Sequence, residues 1–142
     1  MSPMQDKAPM LPSQRVVQIC LFLAGAIGVF GGLVQLFLGQ PETTPRLDNL
    51  HRFMAGLYFG SGIICLWVGA TIRQHRTLVL LLGFAVLCGA CGRLVSMSLL
   101  GLPEPRALWI GYLTPELLLP VIMMAAQLVT NRRIDEARPR IG

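Results

Sequence analysis

Charged side chains are scarce in this sequence. Of its 142 residues only 13% are Asp, Glu, Lys or Arg, whereas 54% are hydrophobic. Soluble domains carry about 25% charged residues, so the shortage excludes an ordinary water-soluble surface for most of the chain. The net charge of +5 does not indicate a nucleic-acid-binding protein, because the basic residues do not accompany aromatic or groove-reading elements. The composition therefore indicates a protein that lies largely in lipid.

Histidine and the motifs of common cofactor sites are also scarce. His51 and His75 are predicted to lie on opposite sides of the membrane, so a haem held by both is not expected. Cys88 and Cys91 have the C-x-x-C spacing of thiol redox and metal sites, but no second such pair and no nearby histidine pair completes a metal site. We interpret them as small apolar residues on a tightly packed helix face, with redox chemistry as the alternative. No metal and no cofactor is predicted.

Long apolar runs are what the sequence has in abundance. A bilayer core about 30 Å thick needs roughly 20 helical residues, and each run is that long. The runs do not alternate as the strands of membrane barrels do. We therefore predict an all-α fold, a single-domain four-helix transmembrane bundle with flexible tails at 1–14 and 131–142. The predicted helices are about residues 16–38, 53–72, 78–100 and 108–130.

The first run also invites comparison with a secretory signal peptide. The apolar region of a signal peptide is about 7–15 residues long and precedes a small-residue cleavage site. This run is longer, and Gly39-Gln40-Pro41-Glu42 follows it, so we predict a helix that is retained. No convincing internal repeat is present, and a transporter built from inverted repeats is not supported.

Connection lengths and small residues predict how the helices meet. The second and third helices are joined by about five residues, which predicts a tight antiparallel hairpin. The longest connection runs from Gly39 to Arg52. Small residues recur at spacings of four, which lets helix backbones approach closely in lipid, within one bundle or between two chains. These small residues are Ala24, Gly28 and Gly32 in the first helix and Gly56 and Gly60 in the second.

Basic residues flank the runs unequally, and Lys and Arg mark the cytoplasmic side of membrane proteins. One side carries Lys7, Arg15, Arg73, Arg76, Arg132, Arg133, Arg138 and Arg140. The other side has fewer basic residues, which acidic ones offset: Arg46, Arg52 and Arg106 with Glu42, Asp48 and Glu104. We therefore predict that the N-terminus, the C-terminus and the middle connection are cytoplasmic.

Two ionisable residues interrupt the apolar runs, Arg93 in the third and Glu116 in the fourth. Such residues are expensive in a membrane, and they are usually paired or functional. At 1.5 Å per residue, Arg93 lies roughly 10 Å and Glu116 roughly 12 Å below the outer ends of their helices. Because these depths match in antiparallel neighbours, we predict an ion pair that offsets the desolvation of both groups.

Other polar residues are predicted at the same end of the bundle. The candidate ligand-binding cluster is Arg93, Glu116, Arg52, Tyr58, Gln35, His51 and Asn49. The cluster has two interpretations, a structural lock between two helices and a binding site. An excess of cations, with two arginines facing one deep carboxylate, favours a ligand that carries an anionic group.

Several short motifs, taken together and in order, resemble a known family. They are Asn49-Leu-His-Arg52-Phe53-Met-Ala-Gly56-Leu-Tyr58, Gly89-Ala-Cys-Gly92-Arg93-Leu-Val-Ser96, Gly101-Leu-Pro103 and Pro115-Glu116-Leu. The family is a group of bacterial four-helix membrane proteins, domain-of-unknown-function family 4345. The resemblance implies a multi-pass protein of the bacterial inner membrane, with Arg52, Arg93 and Glu116 at characteristic positions and no known reaction. The architecture is also similar, more weakly, to DoxX-like proteins.

The function predicted first is non-enzymatic binding of a lipid-like or other amphiphilic small molecule in an outward-facing polar recess. The first alternative is an accessory or assembly subunit that packs against a membrane protein partner, and a homodimer would use the same small-residue faces. The second alternative is a small membrane enzyme that uses Glu116 as acid or base. The expected partners are membrane lipids or an amphiphile, and no nucleic acid.

Overall fold

The computed structural model describes residues 9–39 and 42–137. Its four long helices are separated by short connections, with one 3-10 turn at Ile72–Gln74. Each helix is long and apolar enough to cross a membrane, and no strand occurs in the described ranges. The predicted all-α four-helix fold is confirmed. The helices are α1 (Pro12–Leu38), α2 (Pro45–Ala70), α3 (Arg76–Leu100) and α4 (Arg106–Glu136).

Helix α2 begins at Pro45 rather than at residue 53, so most of the long predicted connection is helical. The first turns are polar and were missed because they continue no apolar run. They have ordinary helix-start chemistry: the Thr44 side chain accepts a hydrogen bond from the Leu47 amide at 3.3 Å, and proline suits the first helical position. Asp48 lies in the first turn, where the helix dipole favours an acidic residue.

The predicted flexible tails were also too long. Helix α1 begins at Pro12, and α4 continues to Glu136. Arg76 at the start of α3 contacts Asp135 near the end of α4, with 2.9 Å between Nη1 and Oδ1, which ties the last turns of α4 to the bundle. The rest of the tail prediction, at 1–8 and 138–142, lies outside the described residues, as do residues 40 and 41 of the first connection.

The packing order of the helices differs from their order in the chain. Helix α1 packs along both α2 and α4, and α4 packs along α3, whereas α2 and α3 touch only slightly. Across the bundle the order is therefore α2, α1, α4, α3. The predicted tight hairpin of α2 and α3 was wrong, because a short connection brings two helix ends together without making the helices pack along their lengths.

Glycines explain why α1 pairs so closely with α2. A Cβ added at Gly28 would lie 2.9 Å from the Gly62 Cα, and one at Gly62 would lie 2.6 Å from the Val29 amide nitrogen. Only hydrogen side chains allow this approach. Gly56 and Gly60, which the spacing of four had placed on a packing face, have nothing within 4 Å of an added Cβ.

The hydrophobic core lies at one end of the bundle, which we call the terminal end because α1 starts there and α4 finishes there. The opposite end, with the α1–α2 and α3–α4 connections, is the loop end. Helix α3 has no buried residue after Ala90, and α4 has none before Pro120. The loop end of this helix pair is therefore more loosely packed. The core residues are Val17, Cys20, Leu21, Cys65, Val68, Ile72, Val79 and Met123.

The four cysteines divide between these environments. Cys20 and Cys65 are buried in the core, as expected of small apolar residues. Cys88 and Cys91 are exposed on α3, so the interpretation that they lie on a tightly packed face was wrong. The spacing of three residues places them on one side of the helix.

Candidate functional site

Arg93 and Glu116 form an ion pair between α3 and α4. The Arg93 Nε and the Glu116 Oε2 are 2.7 Å apart, and the side chains are 32% and 11% exposed. The pairing predicted from the matching depths is present. Both residues lie in the loosely packed part of the α3–α4 pair, so the contact is made where few apolar contacts hold the two helices together.

Two aromatic rings of α4 flank the Arg93 guanidinium. Its Cζ lies 5.9 Å from the centre of the Trp109 ring and 6.0 Å from that of Tyr112. At such distances the negative face of a ring attracts a cation. Trp109, Tyr112 and Glu116 are spaced by three and four residues, which places them on one face of α4. The sequence prediction missed both aromatic residues, although their spacing from Glu116 could have indicated them.

The guanidinium of Arg93 uses little of its hydrogen-bonding capacity. It carries five N–H donors on three nitrogens, and within the described residues only Nε has a hydrogen-bond partner, the Glu116 Oε2. Among the described residues, neither Nη1 nor Nη2 has a hydrogen-bond partner. The buried indole nitrogen of Trp109 also has none within that part of the chain. The cluster therefore has more donors than acceptors.

Helix α2 contributes Tyr58 to the region around Arg93 and Glu116. Its ring lies against α1, because a Cβ added at Gly31 would be 3.2 Å from the Tyr58 Cε1. The side chain is near enough to Glu116, Arg93 and Tyr112 to interact with them electrostatically. No hydrogen bond of its hydroxyl group occurs with any described residue. The Tyr58 hydroxyl thus has unused hydrogen-bonding capacity and lies within electrostatic range of the ion pair.

Arg52 is engaged elsewhere. Its Nε lies 2.9 Å from the Asp48 Oδ2, and its Nη1 donates to the Leu36 carbonyl near the end of α1. An added Cβ at Gly39 would lie 2.9 Å from its Nη2. The expectation that two arginines face one deep carboxylate was wrong, because a carboxylate one turn earlier on α2 neutralises Arg52. This residue fastens the start of α2 to the end of α1.

The remaining predicted residues are less closely associated with the ion pair. Gln35 is half-buried on α1, and its carbonyl accepts the Gly39 amide at 3.2 Å. His51 is half-buried on α2, and Asn49 is exposed. None of the three has a hydrogen bond to Arg93 or Glu116 in the described ranges. Asn49 lines a surface hollow that is formed by α2 alone, with Arg46, Leu47, Leu50 and Phe53.

The structure thus brings Arg93, Glu116 and Tyr58 of the predicted cluster into one region, and it adds Trp109 and Tyr112. We call these five residues the Arg93 site. Their arrangement can hold a hydrogen-bond acceptor against fixed donors in a membrane environment, and the aromatic rings keep the guanidinium in place. The Arg93 site consists of Tyr58, Arg93, Trp109, Tyr112 and Glu116.

Comparison with known proteins gives one match. A family model described as "Domain of unknown function (DUF4345)" matches residues 16–127, which include the whole Arg93 site and most of all four helices. No curated protein and no solved structure matches the chain. The match agrees with the resemblance found in the motifs, and it assigns no activity.

Proposed function

The chain belongs to the DUF4345 family, and from that premise we propose that it is a non-enzymatic membrane protein that binds an amphiphilic small molecule at the Arg93 site. One observation carries the proposal. A guanidinium deep in a membrane-spanning segment is fixed by Glu116 and two aromatic rings, yet its Nη1 and Nη2 have no partner in the described part of the chain.

Unused donors at this depth favour a ligand. The bilayer core contains almost no water to satisfy polar groups, and a buried unsatisfied group costs about 1–3 kcal/mol. A head group with acceptor oxygens would recover that free energy at Nη1 and Nη2. The planar fork of arginine is suited to holding two such oxygens at once.

The packing of the helices supports access from the bilayer. Helices α2 and α3 touch only slightly, and α3 and α4 have no buried residues near the loop end. A molecule with its polar part at Arg93 could leave its apolar part among exposed side chains such as Leu57 on α2 and Leu94 on α3. Such a ligand would be an amphiphile rather than a water-soluble metabolite.

We place the loop end, and with it the Arg93 site, in the outer half of a bacterial inner membrane. The support is the distribution of basic residues. Arg73, Arg76, Arg132 and Arg133 lie at or near the terminal end, and such an excess is typical of the cytoplasmic side. At the loop end, Arg52 and Arg106 each have a carboxylate partner.

The test compares two matched substitutions by native mass spectrometry of protein purified in mild detergent. Arg93→Lys keeps the charge beside Glu116 but removes the fork of nitrogens. Arg106→Lys makes the same change in the Arg106–Glu104 pair, whose side chains are both 71% exposed. We expect a copurified amphiphile on the wild type and on Arg106→Lys, and a large loss of it from Arg93→Lys. Melting curves of all three establish that the proteins are folded.

Two results would contradict the proposal. The first is a wild-type protein that carries no molecule and gains none from a bacterial lipid extract. The second is equal occupancy of all three proteins, which would place any bound lipid away from Arg93.

A second candidate function is an accessory subunit of a larger membrane complex, and a specific observation favours it. Gly56 and Gly60 on α2, and Gly89 and Gly92 on α3, have nothing within 4 Å of an added Cβ. Glycine faces allow close approach of a further helix, from another protein or from a second copy. Copurification of a protein in place of a lipid would favour this candidate. The third candidate, an enzyme using Glu116, has less support because Arg93 engages that carboxylate.

A further inference from the structure

The charges around the Arg93 site indicate whether the head group of its ligand is charged or uncharged. Resting on the proposed function, we infer that the head group is an uncharged hydrogen-bond acceptor, such as an ester or ketone oxygen, rather than a carboxylate or a phosphate. An anionic ligand was expected from the sequence, and the charges of the folded protein reverse that expectation.

Among the described residues, the loop end holds three ion pairs, each of one arginine with one carboxylate, while Arg46 lies at the surface hollow of α2 outside these pairs. Arg52 pairs with Asp48 at 2.9 Å, Arg93 with Glu116 at 2.7 Å and Arg106 with Glu104 at 2.9 Å. The deep pair is therefore neutral as a unit. Arg52 and Arg106 lie nearer the ends of their helices, and each is neutralised by its own carboxylate. Neither therefore supplies an additional cation to the Arg93 site.

An anionic head group would meet unfavourable electrostatics in this place. To reach Nη1 or Nη2 of Arg93 it would have to approach Glu116, because the same small guanidinium binds both. Like charges a few ångströms apart repel strongly where the dielectric constant is low. Such a ligand would also lose its own hydration. The Arg93 cation would not compensate for that loss, because Glu116 already neutralises it.

An uncharged acceptor meets none of these penalties. A carbonyl oxygen has two lone pairs, which can accept from Nη1 and Nη2 of Arg93. Both nitrogens lack hydrogen-bond partners among the described residues. The binding then satisfies these donors and leaves the net charge of the ion pair at zero.

The experiment uses three probes with one hydrocarbon chain. Methyl hexadecanoate has an uncharged ester, hexadecanoate has a carboxylate, and hexadecane has no head group. Their binding to the full-length protein is measured by native mass spectrometry at about pH 9, well above the ordinary pKa of a carboxyl group. We expect the wild type to bind the ester about tenfold more tightly than either other probe, a difference of about 1.4 kcal/mol.

A substitution at Glu116 sharpens the test. Glu116→Gln keeps the shape of the side chain but leaves Arg93 with an unbalanced charge, so we expect the preference to reverse in favour of hexadecanoate. Asp48→Asn removes a carboxylate at the same end of the bundle without touching the Arg93 site, and we expect it to retain the preference of the wild type. If Glu116→Gln does not fold, the comparison of probes on the wild type decides.

The outcomes separate the two proposals. If the wild type binds hexadecanoate at least as tightly as the ester, the inference about charge is overturned, and amphiphile binding at Arg93 stands. If neither the ester nor hexadecanoate binds better than hexadecane, no head group is held, and the proposed function fails together with the inference.

Discussion

Arg93 is held by interactions of different strength and range. The Glu116 carboxylate neutralises it at 2.7 Å, while Trp109 and Tyr112 lie about equally far from its Cζ on one face of α4. The carboxylate offsets most of the cost of a charge in lipid, and the rings limit the directions in which the guanidinium can turn. A side chain so constrained presents Nη1 and Nη2 in a fixed direction.

The ion pair gives a prediction at the scale of single residues. Removing one member leaves a lone charge in the membrane, so Arg93→Ala and Glu116→Ala should each destabilise the protein by about 3–5 kcal/mol. The double substitution should cost less than the sum of the two. Thermal unfolding of the four proteins in detergent measures the coupling.

The exposed pair of Arg106 and Glu104 is the control for this cycle. Its side chains are 71% exposed, and exposed pairs contribute only about 0–1 kcal/mol. The same set of alanine substitutions there should be nearly additive. Additivity at Arg93 and Glu116 as well would mean that the deep pair contributes no coupling.

The deep pair could be predicted from the sequence because helix geometry converts a position into a depth. The pairing of Arg93 with Glu116 follows from their matching depths, without any knowledge of side-chain packing. The partner of Arg52 could not be found in this way, because Asp48 had been assigned to a connection instead of to the helix on which it lies one turn from Arg52. Trp109 and Tyr112 were missed because the residues that share a face of α4 with Glu116 had not been included.

At the scale of helices, the close approach of α1 to α2 gives a second prediction. Gly62→Ala should destabilise the protein by about 1–3 kcal/mol, because its Cβ would lie 2.6 Å from the Val29 amide nitrogen. Gly60→Ala is the matched control two residues away. Nothing lies within 4 Å of its Cβ, and alanine favours a helix over glycine, so it should be neutral or stabilising.

Thermal unfolding of both variants in detergent checks this prediction. Equal melting temperatures for Gly62→Ala and Gly60→Ala would contradict the close approach of α1 to α2 at Gly62. If Gly60→Ala lowers the melting temperature in native membranes but not in detergent, a partner helix occupies that face of α2.

The existence of the helices could be predicted, but their ends and neighbours could not. Apolar runs identify the part of a helix that lies in lipid. Helices α2 and α4 extend beyond these runs through polar residues, such as those from Pro45 to Arg52. Small residues correctly indicated close packing within the bundle for Gly28, whereas Gly56 has no close neighbour in the described part of the chain. A spacing pattern identifies a face of a helix, and only the folded structure says which partner that face meets.

At the scale of the whole molecule, the orientation in the membrane stays a prediction with a direct test. Reporter fusions after Gly142 and near Pro45 should lie on opposite sides, with the former cytoplasmic, because the excess of Lys and Arg belongs to the terminal end. A reporter that is active only outside the cytoplasm distinguishes the two sides. An external C-terminus would move the Arg93 site to the cytoplasmic half of the bilayer.

The order α2, α1, α4, α3 has a consequence for biosynthesis. Of these four helices, the first and the last to be translated, α1 and α4, are the two that meet in the middle of the bundle. Each hairpin, α1 with α2 and α3 with α4, can enter the bilayer with its own contacts formed. The assembled protein must then wait for α4 to be translated and to diffuse against α1. A chain interrupted between Ile72 and Gln74 would leave two inserted halves that can still meet in the plane of the membrane.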